Sequence, residues 1–409
     1  MRYKRLAVIS YHTCPLSDSE GNEIGGMNVY VIELCKKLAE KGYGVDIYTR
    51  SQDKNSQKIV HVLDNLRVIH IIGGKEENVE KKKLVNYIPE FIKNLYNFVD
   101  KNDIVYDLVY SHYYLSGIIG LRIKEKYNIP LFVTFHTLAL MKNLVARDES
   151  ERENIARIKF ELLLVKKADK IIATSISDCQ YLTTLYDCPK SKVFIITPGV
   201  DLKIFNQKDK KISKEIIGAD KDHKLILFVG RIEPLKGIDV LLYAMKILLE
   251  NNPKMRLCLW ILGGDLRGKT EEWPEELRRL NQLRKLLNIS TAVTFIERKH
   301  QSELPNYYSA SEIVILPSNY ESFGIAALEA MACGVPVIAT DTTGITGILD
   351  KKHSSLVTSA NNPLLLASKI KRLLIDENEY SKLSREVLEK VSDLTWENIA
   401  EKFVKIIEN

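Results

Sequence analysis

Three features that often reveal a function are absent from this sequence. The six cysteines are scattered, with no CxxC pair and no His/Cys cluster at metal-ligand spacing, so we expect reduced thiols in a cytoplasmic protein without a metal site. No GxGxxG follows any of the apolar runs, which argues against a dehydrogenase. No stretch approaches the roughly 20 apolar residues that a membrane-spanning helix needs.

The composition indicates a soluble protein with a small anionic ligand. Hydrophobic residues are 45% and charged residues 27% of the chain, a balance that can build a large core. The net charge of +6 suits an anionic small molecule but is far below that of a dedicated nucleic-acid binder. The short apolar run near the first residue predicts a β-strand rather than a signal peptide. The 409 residues are about enough for two domains.

Apolar runs alternate with amphipathic helical patterns along the whole chain. Such continuous apolar strands predict parallel sheets covered by helices on both faces, and therefore an α/β fold with two doubly wound domains. Gly42 is expected to end the first helix, and residues 395–408 form a final amphipathic helix. The predicted strands are 6–10, 45–49, 67–72, 108–113, 131–136, 170–175 and 193–199, then 225–230, 256–264, 293–297, 313–318 and 335–340.

The segment 201–223 separates the two halves. It is rich in Lys and Asp and has no apolar period, so we interpret it as the interdomain linker. Its Asp220-Lys221-Asp222 run formally matches a metal-binding DxD, but a motif this short matches by chance too often to define a site. The predicted domains are 1–205 and 206–390, followed by a C-terminal helix in 391–409.

Ligands of doubly wound sheets bind beyond the carboxyl ends of the strands, so the loops there carry the candidate site. Gly25 and Gly26 open the helix expected near Val29 and could offer amides to an anion; a plain loop is the alternative. Arg231 and Lys236 lie in the loop after residues 225–230. The forked guanidinium of an arginine and the compact ammonium of a lysine together suit a diphosphate. The alternative for this pair is two solvated cations in a turn.

Two glutamates mark the helix that follows residues 313–318. Glu321 stands at the mouth of this helix, beside the amides of Phe323 and Gly324. Glu329 lies about two turns further on. Carboxylates so placed suit vicinal hydroxyls of a sugar and a ribose. Ordinary helix capping explains either residue alone, but it explains poorly a carboxylate in the apolar run GIAALEAMA, where burial without a partner is costly.

Polar side chains also gather at two strand ends of the first half. One histidine in such a place is more often structural, but two at adjacent strand ends indicate a polar pocket for an anionic acceptor. The residues expected to converge there are His112, Tyr113, His136, Thr137, Lys142 and Arg157.

Nearly the whole chain resembles the retaining glycosyltransferases of the GT-B fold, in the family that includes the sucrose synthases. The resemblance rests on GGMNVYVIEL, YSHYYLSG, FHTLALMKN, PGVDLKIF, FVGRIEPLKG, ILPSNYESFGIAALEAMACGVPVIA and TWENIA, which keep the family's order and spacing. It implies two Rossmann-like domains facing a cleft, with the last helix crossing back onto the first domain. It also implies transfer of a hexose or N-acetylhexosamine from a nucleotide diphosphate sugar, with a UDP-sugar as the expected donor, and retention of configuration.

The resemblance assigns roles to the donor-site residues. Arg231 and Lys236 would bind the diphosphate and stabilise its departure, Glu329 would bind the ribose, and Glu321 the transferred sugar. His136 would face the sugar near the anomeric carbon, and the base would lie near Arg298. No carboxylate nucleophile is needed, no cofactor or metal is obligatory, and Mg²⁺ is compatible with the site. The donor-binding set is Gly25, Gly26, Arg231, Lys236, Arg298, Glu321, Phe323, Gly324 and Glu329; the catalytic set is His136, Glu321, Arg231 and Lys236.

The acceptor motifs most closely resemble those of enzymes that add N-acetylglucosamine to inositol phosphate in mycothiol biosynthesis. Sucrose-phosphate synthases place similar groups around fructose 6-phosphate, but they usually have Gln where this chain has Met27, which favours the inositol-phosphate interpretation. A small phosphorylated polyol or sugar is therefore the expected acceptor. The implied acceptor-binding residues are Asn28, Lys81, Tyr113, Thr137, Lys142 and Arg157.

Two other interpretations remain open at this point. The basic stretch 81–101 is compatible with a peripheral membrane glycosyltransferase that acts on a lipid-linked or polysaccharide acceptor. A non-catalytic protein that binds a nucleotide sugar or nucleic acid would require a degraded donor site, and the donor motifs are intact. We expect no nucleic-acid partner; a homodimer or membrane association is compatible with the sequence but not predicted by it.

Overall fold

The computed structural model describes residues 4–16, 25–349 and 351–408, so part of the loop between the first strand and the first helix lies outside it. The chain forms two compact units. One comprises Met1–Thr197 with Trp396–Asn409, and the other comprises Pro198–Thr395. Within the described residues, no helix has the length and apolarity that crossing a bilayer requires. The six cysteines, all within the described ranges, form no disulfide bond.

The first unit is built on an eight-stranded sheet in the order β3-β4-β2-β1-β5-β6-β7-β8. All neighbouring strands pair in parallel except β3, which runs antiparallel to β4. The expectation of a purely parallel sheet is wrong at this edge, because a short turn joins β3 and β4 without a crossover helix. The strands are β1 Arg5–Ile9, β2 Gly44–Arg50, β3 Ile59–Leu63, β4 Leu66–Ile71, β5 Leu108–His112, β6 Leu131–Thr134, β7 Lys170–Ala173 and β8 Val193–Ile195.

Helices cover this sheet, as the alternating pattern predicts. The first begins at Gly26, three residues before the expected start. Gly42, with φ of 91°, ends it, and its amide donates to Ala39 O at 2.8 Å, which confirms the predicted cap. The helices of this part of the chain are α1 Gly26–Glu40, α2 Ile88–Lys101, α3 Tyr114–Tyr127, α4 Ala139–Val145, α5 Ile155–Lys167 and α6 Ile176–Leu185.

The second unit contains a six-stranded sheet in the order β11-β10-β9-β12-β13-β14, with every neighbouring pair parallel. Its central strands are buried on both faces, as their unbroken apolar sequences require. The strands are β9 Lys224–Val229, β10 Leu257–Gly264, β11 Val293–Glu297, β12 Ile313–Leu316, β13 Val337–Thr340 and β14 Val357–Thr358. The helices are α7 Lys210–Ile217, α8 Ile238–Asn251, α9 Glu275–Leu286, α10 Leu304–Ala310, α11 Ile325–Ala332, α12 Pro363–Ile375 and α13 Glu377–Val391.

The segment 201–223 is not a linker but part of the second unit. It contains α7, whose Lys214 is 5% exposed and donates from Nζ to His223 O at 2.6 Å. The same ammonium lies 3.3 Å from Glu312. The buried residues of α7, Ser213 and Lys214, are polar, whereas its Ile212 and Ile216 are exposed, so its apolar residues do not mark the buried face.

Both aspartates of the DxD-like run form ion pairs on the surface. Asp220 pairs with His223 at 2.9 Å, and Asp222 pairs with Arg256 at 3.0 Å. No group of three or more His, Cys, Asp or Glu residues able to hold a metal occurs in the described ranges.

The last helix, α14 Trp396–Glu408, belongs to the first unit. Its Trp396 ring lies 5.8 Å from that of Tyr30, and its Phe403 ring lies 4.8 Å from that of Tyr110. Both α14 aromatics are buried, so they form the apolar face of this amphipathic helix.

Short 3₁₀ turns complete the connections at several loops. They span Lys81–Tyr87, Glu149–Glu151, Lys190–Lys192, Pro234–Lys236, Thr270–Glu272, Gly344–Ile348 and Lys351–Leu356.

Candidate active site

The loop after β9 reaches α8 through a 3₁₀ turn and a glycine. Gly237 has φ of 61°, and a Cβ there would lie 2.1 Å from Pro317 O, so only glycine fits this approach to the end of β12. The turn presents Lys236, whose ammonium pairs with the Glu321 carboxylate. Earlier in the same loop, Arg231 lies 2.7 Å from Glu233. Both cations predicted to bind a diphosphate thus already contact anionic groups.

The loop before α11 holds Glu321 beside the start of that helix. Gly324 precedes the helix with φ of 99°, a conformation that favours glycine. Gly344 N donates to Glu321 O at 2.9 Å, and Ile345 N donates to Phe323 O at 2.7 Å. The Phe323 side chain is packed in the core, so only its backbone could contact a ligand. Helix geometry leaves the first amides of α11 without acceptors inside the helix.

Glu329 is buried in α11 but has partners. Tyr308 Oη donates to Glu329 Oε2 at 2.8 Å, and Gln301 Nε2 lies 3.5 Å from Oε1. Burial raises the pKa of Glu329 to about 7, and these two hydrogen bonds oppose that rise. The Glu329 carboxyl group, unexpected in an apolar helix, is therefore hydrogen-bonded rather than left without a partner.

The remaining donor-site residues occupy loop and helix ends. Arg298 follows β11, and its side chain contacts Gly263 O at 3.4 Å. In the first unit, Gly25 caps α1 with an extended backbone, and Gly26 is its first residue. A Cβ on Gly25 would meet nothing within 4 Å, so local packing does not demand glycine at that position.

Two histidines meet at the carboxyl ends of β5 and β6. His112 Nδ1 lies 2.9 Å from His136 Nε2. Burial lowers the pKa of both rings, that of His136 to about 3, so each is neutral and one donates to the other. His136 has φ of 59°, a strained backbone for a non-glycine residue, and its ring packs edge-on against Tyr30. This pair fixes the orientation of the residue predicted to face the anomeric carbon.

Asn28 lies on the first turn of α1 and is 2% exposed. Its Nδ2 donates to Thr13 Oγ1 at 3.0 Å and to Cys14 O at 3.2 Å. Asn28, predicted to bind an acceptor, therefore also shapes the loop that follows β1.

Two of the predicted acceptor residues, Thr137 and Tyr113, contact the guanidinium of a third, Arg157, and Lys81 lies against Tyr113. Arg157 Nη2 donates to Thr137 O at 2.8 Å and to Thr137 Oγ1 at 3.1 Å. The Arg157 guanidinium stacks 4.8 Å from the Tyr113 ring, and the Lys81 ammonium lies 4.1 Å from that ring. Tyr113 has φ of 77°, so its aromatic face is held by a strained backbone. These residues therefore lie together in the first unit.

Arg157 is almost fully buried and is paired with carboxylates of the protein itself. Its side chain is 1% exposed, and its Nε donates to Glu161 Oε1 at 2.7 Å. Its Nη1 lies 2.7 Å from Glu153 Oε1, and Lys142 pairs with the same Glu153 carboxylate. We call Lys81, Lys142 and Arg157 the cationic cluster. Two carboxylates that sequence analysis missed, Glu153 and Glu161, pair with cations of this cluster. Their spacing, Glu153-x₃-Arg157-x₃-Glu161, was the available signal, because residues four apart share a helix face.

Comparisons with known proteins place the chain in a family. Residues 24–204 match the family described as Glycosyltransferase Family 4, and residues 209–389 match the one described as Glycosyl transferases group 1. A protein of Nocardioides sp. named D-inositol 3-phosphate glycosyltransferase is 35% identical over 406 residues, which cover 97% of this chain and 88% of that protein. A protein of the same name from Corynebacterium efficiens is 33% identical over 395 residues, with coverage of 96% and 92%.

Solved structures give the same fold. The sucrose-phosphate synthase of Thermosynechococcus elongatus superimposes with a TM-score of 0.89 at 29% identity, covering 99% of this chain and 98% of that one. Anabaena HepE, solved with UDP and glucose, has a TM-score of 0.75 at 15% identity, covering 99% and 100%. The chain therefore belongs to the group 1 glycosyltransferases: it has the GT-B fold and is a nucleotide-sugar dependent glycosyltransferase.

Proposed function

We propose that the protein transfers a hexose or N-acetylhexosamine from a UDP-sugar to a small phosphorylated polyol, such as an inositol phosphate, with retention of configuration. The observation that carries this proposal is the cationic cluster in the first unit. Three cationic side chains and an aromatic face converge there at strand ends, where an α/β sheet binds its ligands. The name shared by the curated relatives supports a phosphorylated inositol as the acceptor.

The donor half of the proposal rests on the second unit. Lys236 and Arg231 lie in a glycine-bounded loop and pair with Glu321 and Glu233. In the proposed complex they exchange these carboxylates for the oxygens of the diphosphate. In this proposal Glu329 accepts hydrogen bonds from the hydroxyl groups of the ribose, and Glu321 accepts them from those of the transferred sugar. Both sets of hydrogen bonds are charge-assisted, because the acceptor is a carboxylate.

The proposed reaction needs no covalent intermediate. The acceptor hydroxyl attacks the anomeric carbon on the face that the nucleotide leaves, and its proton goes to the departing phosphate oxygen. Arg231 and Lys236 stabilise the negative charge that grows on the diphosphate as the anomeric C–O bond breaks. His136 is neutral and is held by His112, so it can contact the sugar without adding a positive charge beside an oxocarbenium-like centre.

A second acceptor is favoured by one specific observation. The sucrose-phosphate synthase that superimposes over 99% of this chain is 29% identical to it. The acceptor implied by the resemblance to sucrose-phosphate synthases, fructose 6-phosphate, would also meet the cationic cluster. Fructose 6-phosphate is therefore the alternative acceptor against which an inositol phosphate should be compared.

Lys142→Met tests the phosphate-reading role of the cationic cluster. The change removes one charge-assisted contact, so we expect KM for the phosphorylated acceptor to rise about 10-fold or more while KM for the donor stays within about twofold. Initial rates of UDP release at varied acceptor and donor concentrations measure both constants.

Lys159→Met is the matched control, because Lys159 is an exposed lysine of α5. It should leave both constants unchanged. If Lys142→Met raises the KM of a phosphate-free acceptor by the same factor, the cluster does not read phosphate and the proposal fails.

A further inference from the structure

The two carboxylates on Arg157 have very different surroundings. Glu161 is 0% exposed and accepts from Arg157 Nε, from Ala139 N at 2.9 Å and from the Tyr186 hydroxyl. It is a permanent counterion, because removing any of these contacts would leave a buried charge or donor unsatisfied. Glu153 is 22% exposed at its side chain, and its carboxylate pairs with Arg157 Nη1 and with the Lys142 ammonium.

Glu153 makes an incomplete contact with Arg157. Its Oε1 lies 2.7 Å from Arg157 Nη1, but this buried nitrogen has no directed hydrogen-bond partner among the described residues. Its other contact is with the ammonium of Lys142, a long side chain that can follow a different anion. Burial alone would raise the pKa of Glu153, yet Arg157, Lys142 and Lys81 together hold it below its usual range. The Glu153 carboxylate thus interacts electrostatically with all three cations of the cluster.

The backbone of Glu153 is fixed independently of this contact. Glu153 N donates to Asn143 Oδ1 at 2.7 Å, and Asn143 Nδ2 donates to Glu153 O at 3.3 Å. Asn154 then caps α5 by accepting from Arg157 N at 2.8 Å. The Glu153 side chain can therefore turn away by rotation of its own χ angles without moving the loop or the helix.

We propose that the Glu153 carboxylate occupies the place of the acceptor's phosphate when the site is empty and must be displaced for the acceptor to bind. This inference rests on the proposed function and deepens it. A phosphate group has more acceptor oxygens and more negative charge than a carboxylate, so it can satisfy Arg157 Nη1, Lys142 and Lys81 together. Glu153 thereby sets the specificity: neutral polyols cannot displace it, and monoanionic carboxylates gain little by doing so.

Glu153→Gln removes the competing charge with little change in shape. We expect KM for the phosphorylated acceptor, and the inhibition constant of inorganic phosphate, each to fall about tenfold, with kcat and the donor KM unchanged. Glu153→Ala should act in the same direction. Glu149→Gln is the control, because it is the same chemical change at an exposed position four residues earlier and should leave every constant unchanged.

The outcomes separate this inference from the proposed function. If the unmodified enzyme prefers a phosphorylated acceptor but Glu153→Gln raises its KM or leaves it unchanged, Glu153 is a supporting ion pair and the inference is wrong. If the unmodified enzyme shows no preference for phosphate at all, the proposed function fails first. A lower KM accompanied by tighter inhibition by inorganic phosphate supports displacement, because a merely structural role predicts neither.

Discussion

Glu321→Gln is expected to reduce kcat by about 10²- to 10³-fold, the loss that follows removal of one preorganised polar contact to a transition state. Glutamine keeps the shape of the side chain but removes its negative charge and places an NH₂ donor where a sugar hydroxyl is to donate. It also removes the counterion of Lys236. UDP-release rates at saturating donor and acceptor measure the effect.

The Glu321 variant is informative only if the nucleotide still binds. Calorimetric titration with UDP should give an affinity within a few-fold of that of the unmodified protein, because Arg231, Lys236 and Glu329 are intact. Glu250→Gln, at an exposed position paired with Lys246, is the matched control and should have full activity. A Glu321→Gln enzyme with kcat within threefold of the original would remove Glu321 from the proposed site.

Arg157→Ala is expected to destabilise the first unit by about 3–5 kcal/mol, the usual result of removing one partner from a buried ion pair. The reason is Glu161, whose fully buried carboxylate would lose its only cationic partner among the contacts described here. The loss of acceptor binding therefore cannot be read from this variant alone. Arg157 has a structural role that sequence analysis, which treated it only as a phosphate ligand, did not predict.

Tryptophan fluorescence can report this loss for one unit. Of the three tryptophans, Trp396 belongs to the first unit, while Trp260 and Trp273 belong to the second. In a background with Trp260→Phe and Trp273→Phe, urea unfolding followed through Trp396 should show a lower midpoint for Arg157→Ala. Arg157→Lys should lie between the two, because it restores the charge without the planar fork. An unchanged midpoint in Arg157→Ala would show that the Arg157–Glu161 pair carries no stability.

The strands and the site loops were predictable because their signals are local. The strands of a doubly wound sheet are unbroken apolar runs, and the polar residues that follow them must lie at one sheet edge. This placed His112 beside His136 and Glu321 at the start of α11 from the sequence alone. Antiparallel β3 was missed although four of its five residues are apolar; as an edge strand it leaves its residues half-buried or exposed, and His61 interrupts the run. Helix α7 was missed because its buried residues, Ser213 and Lys214, are polar, while Ile212 and Ile216 are exposed.

Partners of buried polar groups were harder to predict than the groups themselves. The apolar sequence around Glu329 showed that its carboxylate needed an explanation, but nothing local pointed to Tyr308, which lies 21 residues earlier. Tyr186 and Glu161 are likewise separated by 25 residues. The carboxylates paired with Arg157 are the exception, since the four-residue spacing of Glu153 and Glu161 from it was visible. Counterions of this kind decide which cations are available to a ligand, and they require the three-dimensional arrangement.

The most direct test of the account is a UDP-release assay with matched acceptor pairs. UDP-, GDP- and ADP-sugars should be crossed with inositol 3-phosphate and free inositol, and with fructose 6-phosphate and fructose. We predict rapid release with a UDP-sugar and one phosphorylated acceptor, and a rate with its phosphate-free partner that is lower by at least about 100-fold, as expected when a binding site loses an anion that its buried cations require. Equal rates with and without the phosphate, or slow hydrolysis whatever the acceptor, would contradict the phosphate-reading site in the first unit.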